Sequence, residues 1–200
     1  MIRRQLVTGL LVTVCLVVLL GGVYPLAVWA VGRVAFRPQT DGSFVTVKGK
    51  VVGSSLIGQG FTDKVGHPLG RYFQPRPSAA GSGYDPTSSG GSQLGPSNPA
   101  LLKSVADRVA SYRAFNGLPA VVPVPVDAVT ASGSGLDPDI SEANALDQAP
   151  RVARIRNLPL PEVLALVHAH VDGRAWGILG ENTVNVLDLN LALDRLGSSG

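Results

Sequence analysis

The chain is poor in the residues that most often do chemistry. Of its 200 residues three are histidine, one is cysteine and 16% are charged. The single cysteine, Cys15, excludes an intramolecular disulfide, and a chain of this length builds a core without one. Its neighbours, Val14 and Leu16, are apolar, the setting of an inert thiol rather than a nucleophile. No GxxxxGK[ST] run occurs, so a P-loop is excluded as a motif. ASGSG at 131–135 lacks the first glycine of G-x-S-x-G, and no DKTGT phosphorylation sequence is present. His168 and His170 stand two apart on an expected helix, hence on different faces, and His67 is isolated, so no metal site is expected. Asp137 and Asp139 are too few for a calcium loop, and Glu181 with Asp188 lacks a nearby base or nucleophile; capping and turn roles are expected for all four. The only basic groupings are Arg3-Arg4, Lys48/Lys50 and Arg151/Arg154/Arg156, the last beside a helix end where cations suit the dipole. Nucleic acid is not an expected partner.

What is present begins with an uncharged apolar run, Leu6 to Val31. As a helix it is about 39 Å long, which exceeds a hydrocarbon core of about 30 Å. Tyr24 and Trp29 lie towards its C-terminal end, where aromatic side chains anchor at the interface. The run is too long for the apolar region of a cleaved signal, so an uncleaved anchor in the lipid bilayer is expected. Arg3, Arg4 and the terminal amine nearly tie with Arg33 and Arg37 across the span. The long segment that follows crosses largely regardless of its charge, so the N-terminus is placed in the cytoplasm and the domain outside. Gly9, Thr13, Gly21, Gly22 and Pro25 interrupt the Leu/Val run. Small residues admit close helix approach in lipid and a proline frees a carbonyl, so these five mark a partner-facing side.

The expected organisation is a cytoplasmic N-terminus (1–5), a transmembrane helix (6–31), a linker (32–46), an extracytoplasmic domain (47–196) and a fraying tail (197–200). FVTVKGKVVG reads as a strand pair, GSSLIGQGF as a short strand and GRYFQPRPSAA as a strand edge. A helix is predicted from Asn98 as N-cap and Pro99 at N1 to Asn116-Gly117, with Leu101, Val105, Val109 and Tyr112 on one face and Leu102 and Ala106 beside them. Lys103 and Asp107 are spaced to pair on its outer side. VVPVPVDAVT reads as extended chain. Ser141 or Asp139 caps a helix through Arg156 that Pro150 kinks or restarts. LPLPEVLALVHAHV is a helix with Leu164, Val167 and Val171 inward. GRAWGILGENTVNVLDL is a hairpin with Trp176 and Ile178 facing one way and Val184 and Val186 the other, and Asp188 caps a last helix. Strands first and last with helices between give an α+β class: one N-terminal transmembrane helix, then a single mixed α/β extracytoplasmic domain.

Residues 87–99, TSSGGSQLGPSNP, lie in a stretch rich in Gly, Pro and Ser. Backbone amides of such a turn beside a helix N-terminus bind anions, although the usual lysine is missing. An ordered loop presented to a partner is the favoured reading, with simple packing second and anion binding third. The candidate contacts are Ser88, Ser89, Gly90, Gly91, Ser92 and Gln93.

Several blocks in order carry a family resemblance: GSSLIGQGF, RYFQPRPSAA, TSSGGSQLGPSNP, VPVDAVTASGSGLDPDIS, QAPRVARIRNL, VNVLDLNLALD and LLGGVYPL in the membrane run. Together they resemble the KdpC subunit of the potassium-transporting Kdp ATPase over nearly the whole chain. Departures are local: ENTVN where the family usually has proline after Glu181, Pro150 where many members continue with alanine, and a longer TDKVGHPLG. The resemblance implies a single-span inner-membrane subunit, non-catalytic, in a four-subunit K⁺ pump. Its implied partners are a channel-like K⁺-binding subunit, a P-type ATPase subunit and a very small membrane peptide. It implies one of two roles: a stabiliser or cap over the channel subunit's outer mouth, or a chaperone that raises the pump's affinity for ATP. SSGGSQ is loosely similar to the ABC-transporter signature LSGGQ, so ATP is the one cofactor to consider, through Ser88 to Gln93. An envelope enzyme with an unrecognised Ser/Asp site is a third reading, disfavoured by the scarcity of histidine.

Overall fold

The structure, a computed structural model, describes residues 2–197. The fraying tail therefore falls outside the described residues from 198 onward. The chain divides into two compact units between Phe44 and Val45.

The first unit is one long apolar helix with a short helical turn after it. Helix α1 (Ile2–Val18) passes through a π-helical turn (Leu19–Val23) into α2 (Tyr24–Ala35), and α3 is the turn Arg37–Thr40. Together Ile2–Ala35 has a mean hydropathy of 2.7 in its most apolar stretch and none of that stretch is buried; among the described residues it is the one helix long and apolar enough to cross a membrane. The π turn has a local cause. Pro25 has no N–H and its ring crowds the carbonyl four residues back, Gly21. Widening the turn relieves this, and the Tyr24 N–H reaches five residues back to Leu19. Thr8 and Thr13 return their hydroxyls to the carbonyls of Arg4 and Gly9, each at 2.9 Å, which satisfies them in lipid. Past Phe36 the chain turns, Arg33 and Arg37 both reach Asp41, and Thr40 approaches Gly32, where a Cβ would lie 3.1 Å from its methyl.

The second unit begins one residue into a hairpin of β1 (Phe44–Val47) and β2 (Lys50–Ser54), turned at Lys48 and Gly49 with φ of 50° and 78°. Both central residues are left-handed, the geometry that matches strand twist. Residues 55–98 then contain no helix or named strand. Helix α4 (Pro99–Asn116) follows, then α5 (Val126–Val129), β3 (Asp139–Ser141), α6 (Glu142–Arg156), α7 (Leu160–Ala169), β4 (Val171–Asp172), β5 (Thr183–Asn185) and α8 (Val186–Gly197). The three last strands form an antiparallel sheet ordered β3-β5-β4, with Ile140 opposite Val184 and Val171 opposite Val184. Helices α6, α7 and α8 pack around Phe73, Ile140, Ala149, Val152, Val163, Val167, Val184, Leu189 and Leu193. The α+β class is thus observed.

Helix α4 has the expected ends: Asn98 accepts from Ala100 N–H at 2.9 Å and Gly117 is left-handed. Lys103 and Asp107 pair at 2.6 Å. Leu102 and Ala106, expected near the inner face, are exposed; Arg108 and Arg113 occupy that side instead and bond the carbonyls of Val129 and Val122. GSSLIGQGF supplies only the end of β2 (Gly53 and Ser54) and one bridge, Ser54 with Ile57, and makes no strand of its own, because its glycines leave few side chains to pack. GRYFQPRPSAA is likewise not a strand, and VVPVPVDAVT ends in α5 rather than extended chain. Pro150 does not restart α6, which runs unbroken from Glu142 to Arg156; it lies on the exposed face. Val163 joins Val167 inward on α7, while Val171 belongs to β4. Val186 begins α8 rather than a strand, and Asn185, accepting from Asp188 N–H at 3.2 Å, caps it in place of Asp188.

Candidate functional site

The 87–99 stretch is tied to a second glycine-serine loop, 131–135. Gly90 N–H donates to the Ser134 carbonyl at 2.8 Å, and the Ser89 hydroxyl donates to the same oxygen at 3.0 Å. Close backbone approach requires glycine on both sides. A Cβ on Gly135 would lie 2.6 Å from the Gly90 carbonyl, and one on Gly91 would lie 3.2 Å from that of Gly133. Gly135 also has φ of 68°, which only glycine adopts cheaply. The Ser78 hydroxyl donates to the Gly135 carbonyl at 2.6 Å and accepts from Tyr84 N–H at 2.8 Å. Tyr84 donates its phenol to the Arg76 carbonyl at 2.5 Å; burial raises its pKa well above the ordinary tyrosine value, so it remains a donor. Gly58 completes the knot: its N–H reaches the Leu136 carbonyl at 2.8 Å, and a Cβ there would lie 2.5 Å from both the Asp137 carbonyl and the Tyr84 ring. On the outer side Ser88, Ser89, Ser92 and Gln93 are exposed, with Gln93 at φ 55°.

Below this knot runs a buried polar network. Asp127 accepts from Ser141 N–H and hydroxyl, both at 2.8 Å, and from Asn144 Nδ2 at 2.9 Å. Asn144 Oδ1 accepts from the Tyr112 phenol at 2.8 Å and Gln148 Nε2 at 2.9 Å. Burial holds the Tyr112 pKa far above its usual value, so this phenol too stays protonated. Gln148 grips the backbone of Gln74 from both sides, accepting its N–H at 2.7 Å and donating to its carbonyl at 3.0 Å. Asn190 does the same for Phe73, at 2.9 Å each way. These two amides replace a neighbouring strand for residues that would otherwise carry unpaired buried polar groups. Arg151, 1% exposed, is the hub. It donates to Asn116 Oδ1 at 2.9 Å, Gln148 Oε1 at 2.8 Å, the Tyr72 carbonyl at 3.0 Å and the Gly70 carbonyl, with its guanidinium 4.4 Å from the Phe115 ring centre. Burial lowers its pKa to about 10. Arg156, expected to serve the helix end, instead pairs with Asp194 at 2.7 Å and bonds the Arg71 carbonyl.

Two clefts flank these features. One, of about 490 Å³, is lined by Arg76, Asp127, Asp137, Asp139, Glu181 and Thr183 among others. Arg76 pairs with Asp137 at 2.9 Å, and burial with the neighbouring Asp137 charge raises the Asp139 pKa. The other, of about 320 Å³, is lined by Tyr84, Tyr112, Phe115 and Arg108 with Pro75 and Pro77. Among the described residues no three His, Cys, Asp or Glu side chains gather where they could hold a metal ion.

In the membrane helix, Gly9, Gly21 and Gly22 have open space where a Cβ would stand. Thr13 and Gly21 line one shallow groove with Leu16, Val17 and Leu20, and Gly22 shares the π turn that Pro25 follows.

One apolar span is thus joined in sequence to a small α+β domain whose glycine loops are tied together. The family described as "KdpC: K+-transporting ATPase, c chain" matches residues 6–195. The chain belongs to the KdpC family. It is 54% identical over 194 residues to the "Potassium-transporting ATPase KdpC subunit" of Mycobacterium tuberculosis, covering 97% of this chain and 100% of that one. The protein of the same name from Kineococcus radiotolerans is 55% identical over 190 residues (95% and 93%), and that from Koribacter versatilis 44% over 193 (96% and 95%). The resemblance drawn from the sequence blocks is confirmed, and a KdpC subunit with this helix is a membrane protein of a potassium-transporting ATPase complex.

Within this KdpC chain the structure gathers the sequence-marked loop residues Ser88–Gln93 on one surface, but not beside Asp188 or the histidines. Asp127, Asn144, Gln148 and Asn190 went unmarked in the sequence, and Arg151 was marked only as one of three cations at a helix end. A usable signal was there: Asn144, Gln148 and Arg151 recur at i, i+4 and i+7, a polar stripe on the face of α6 that its alanines and Val152 bury.

Proposed function

We propose that this chain is the non-catalytic accessory subunit of an ATP-driven, high-affinity K⁺ uptake pump. It stabilises the complex and caps or couples the channel-like and P-type ATPase subunits, with a very small membrane peptide as the third partner. The N-terminus lies in the cytoplasm, the span crosses the inner membrane and the α+β domain stands on the extracytoplasmic side. Gly9, Thr13, Gly21, Gly22 and Pro25 form the side of the helix that meets partner helices.

The observation that carries this reading is where the polar groups are spent. The loop that most looked like a phosphate cradle donates Gly90 N–H and the Ser89 hydroxyl to Ser134. The buried polar network around Gln148 and Arg151 clamps residues 70–76. Such bonding makes a rigid surface for display rather than a set of poised reactive groups. The π turn adds to it, because a widened turn in lipid exposes backbone that a neighbouring helix can satisfy. A nucleotide role for Ser88–Gln93 would have to use the outward Ser88, Ser92 and Gln93.

The test is affinity capture of the tagged chain, co-expressed with the channel-like and ATPase subunits, with and without Ile2–Ala35 replaced by an unrelated apolar helix. The native helix is expected to bring down both subunits and the replacement to lose them; capture unaffected by the replacement overturns the helix assignment. A C-terminal tag accessible to protease outside intact cells is the expected topology, and protection there overturns it.

A further inference from the structure

The hairpin between β4 and β5 carries an apolar tip that neither the core nor the proposed subunit role uses. Trp176 is 88% exposed, Ile178 76% and Leu179 52%. Large apolar side chains clustered at a tip, rather than scattered, mark a contact. The tip is also strained for display. Trp176 has φ of 53°, a left-handed conformation that a bulky residue seldom adopts. Gly177 beside it has φ of 78°.

Its backbone is closed on itself. Ala175 N–H donates to the Leu179 carbonyl at 2.9 Å and Leu179 N–H to the Ala175 carbonyl at 3.0 Å. Gly177 N–H reaches the Arg174 carbonyl at 2.9 Å, and Ile178 N–H the Ala175 carbonyl at 3.3 Å. With four of its amides already bonded, the loop loses less when water is withdrawn, which favours entry into an apolar boundary. Between Gly173 and Gly180 Arg174 is the one charged residue, while the carboxylates Asp172 and Glu181 stand outside the tip at its neck. The tip thus presents one cation with an indole and two aliphatic side chains.

We propose that this tip is a second membrane contact: Trp176, Ile178 and Leu179 enter the headgroup boundary of the bilayer and Arg174 meets a lipid phosphate. The occupant is argued from three facts. The chain is a membrane subunit with a span of its own, so lipid is present at high effective concentration. Indole rings favour the membrane interface. The lone cation complements anionic headgroups, and a single arginine near such a surface is worth about fivefold in affinity.

The experiment uses the full chain with Trp29→Phe, so that Trp176 is the one tryptophan, in vesicles of phosphatidylcholine with or without phosphatidylglycerol. Blue-shifted emission, quenched by phospholipids brominated along the upper acyl chain, is the expected result. Arg174→Gln should weaken the tip's partition into the anionic vesicles about fivefold, read as reduced bromine quenching, and leave it unchanged in the neutral ones. Emission at a water-like wavelength, quenched by iodide and not by brominated lipid, overturns the proposal. A blue shift that appears only with the other pump subunits, without bromine quenching, also overturns it, and assigns the tip to a protein partner. A nitroxide at Ile178→Cys in a Cys15→Ser background gives the same distinction by oxygen against aqueous nickel accessibility, should Trp29→Phe disturb the span. The outcome does not depend on whether the chain captures the other subunits, so the two readings fail separately.

Discussion

Replacing Arg151 by methionine should remove the clamp that holds residues 70–76 in place. The substitution keeps an unbranched apolar stem and deletes the guanidinium. It leaves the Gly70 and Tyr72 carbonyls and Asn116 Oδ1 without the donors they have in the native fold, while Gln148 Oε1 still accepts from Gln74 N–H. Each stranded buried acceptor costs about 1–3 kcal/mol. Relief from burying a cation whose four acceptors are all neutral offsets several kcal/mol of this. Three stranded acceptors together cost about 3–9 kcal/mol, so after that offset the expected net loss is about 2–5 kcal/mol, a large share of a typical stability of about 5–15 kcal/mol. Lysine is no remedy: it retains the charge but cannot span acceptors on different sides, so Arg151→Lys should lose about 2–4 kcal/mol. Urea unfolding of the full chain in detergent measures the loss. Hydrogen exchange localises it, since the amides of Phe73 and Gln74 are held by Asn190 and Gln148 and should lose protection first. Arg151→Met within about 1 kcal/mol of the native chain, with those amides unchanged, would refute the clamp.

Gly135→Ala forces a Cβ to 2.6 Å from the Gly90 carbonyl at φ of 68° and should cost about 2–4 kcal/mol in the same unfolding assay. Gly95→Ala, with open space around it, should stay within about 0.5 kcal/mol. Burial raises the Asp147 pKa above its unfolded value, so the folded state binds more protons and stability falls as pH rises through the folded pKa. Asp147→Asn should therefore stabilise the chain at pH 7, and the gain should vanish below the ordinary carboxylate range; a gain that persists at pH 3 contradicts burial as its cause. Isothermal titration of the full chain with ATP should show no saturable binding, with Gln93→Ala indistinguishable; saturable binding abolished by that variant would restore the nucleotide reading.

Elements that rest on neighbours in sequence were legible. The apolar span needs only its run of side chains, and α4 needs only Asn98 before Pro99 and Gly117 after Asn116. The stretch from 55 to 98 was not legible because its order comes from afar: Gln148 bonds Gln74 across 74 positions, and Asn190 bonds Phe73 across 117. Strand readings there failed for the same reason, since side-chain amides do what a neighbouring strand would. The 87–99 loop was recognised as ordered, but its anchor on Ser134 follows from two glycine loops meeting, which no periodicity announces. Arg151 was read with Arg154 and Arg156 as one group at a helix end; helical rotation sends the first inward and leaves Arg154 exposed.

The most direct test of the accessory role is to purify the pump from cells that lack this chain, then resupply it. Potassium-stimulated ATP hydrolysis and K⁺ uptake should be lost with the chain and restored on adding it back, while the chain alone hydrolyses nothing. An intact, fully active assembly without the chain, or ATP hydrolysis by the chain alone, would contradict the account.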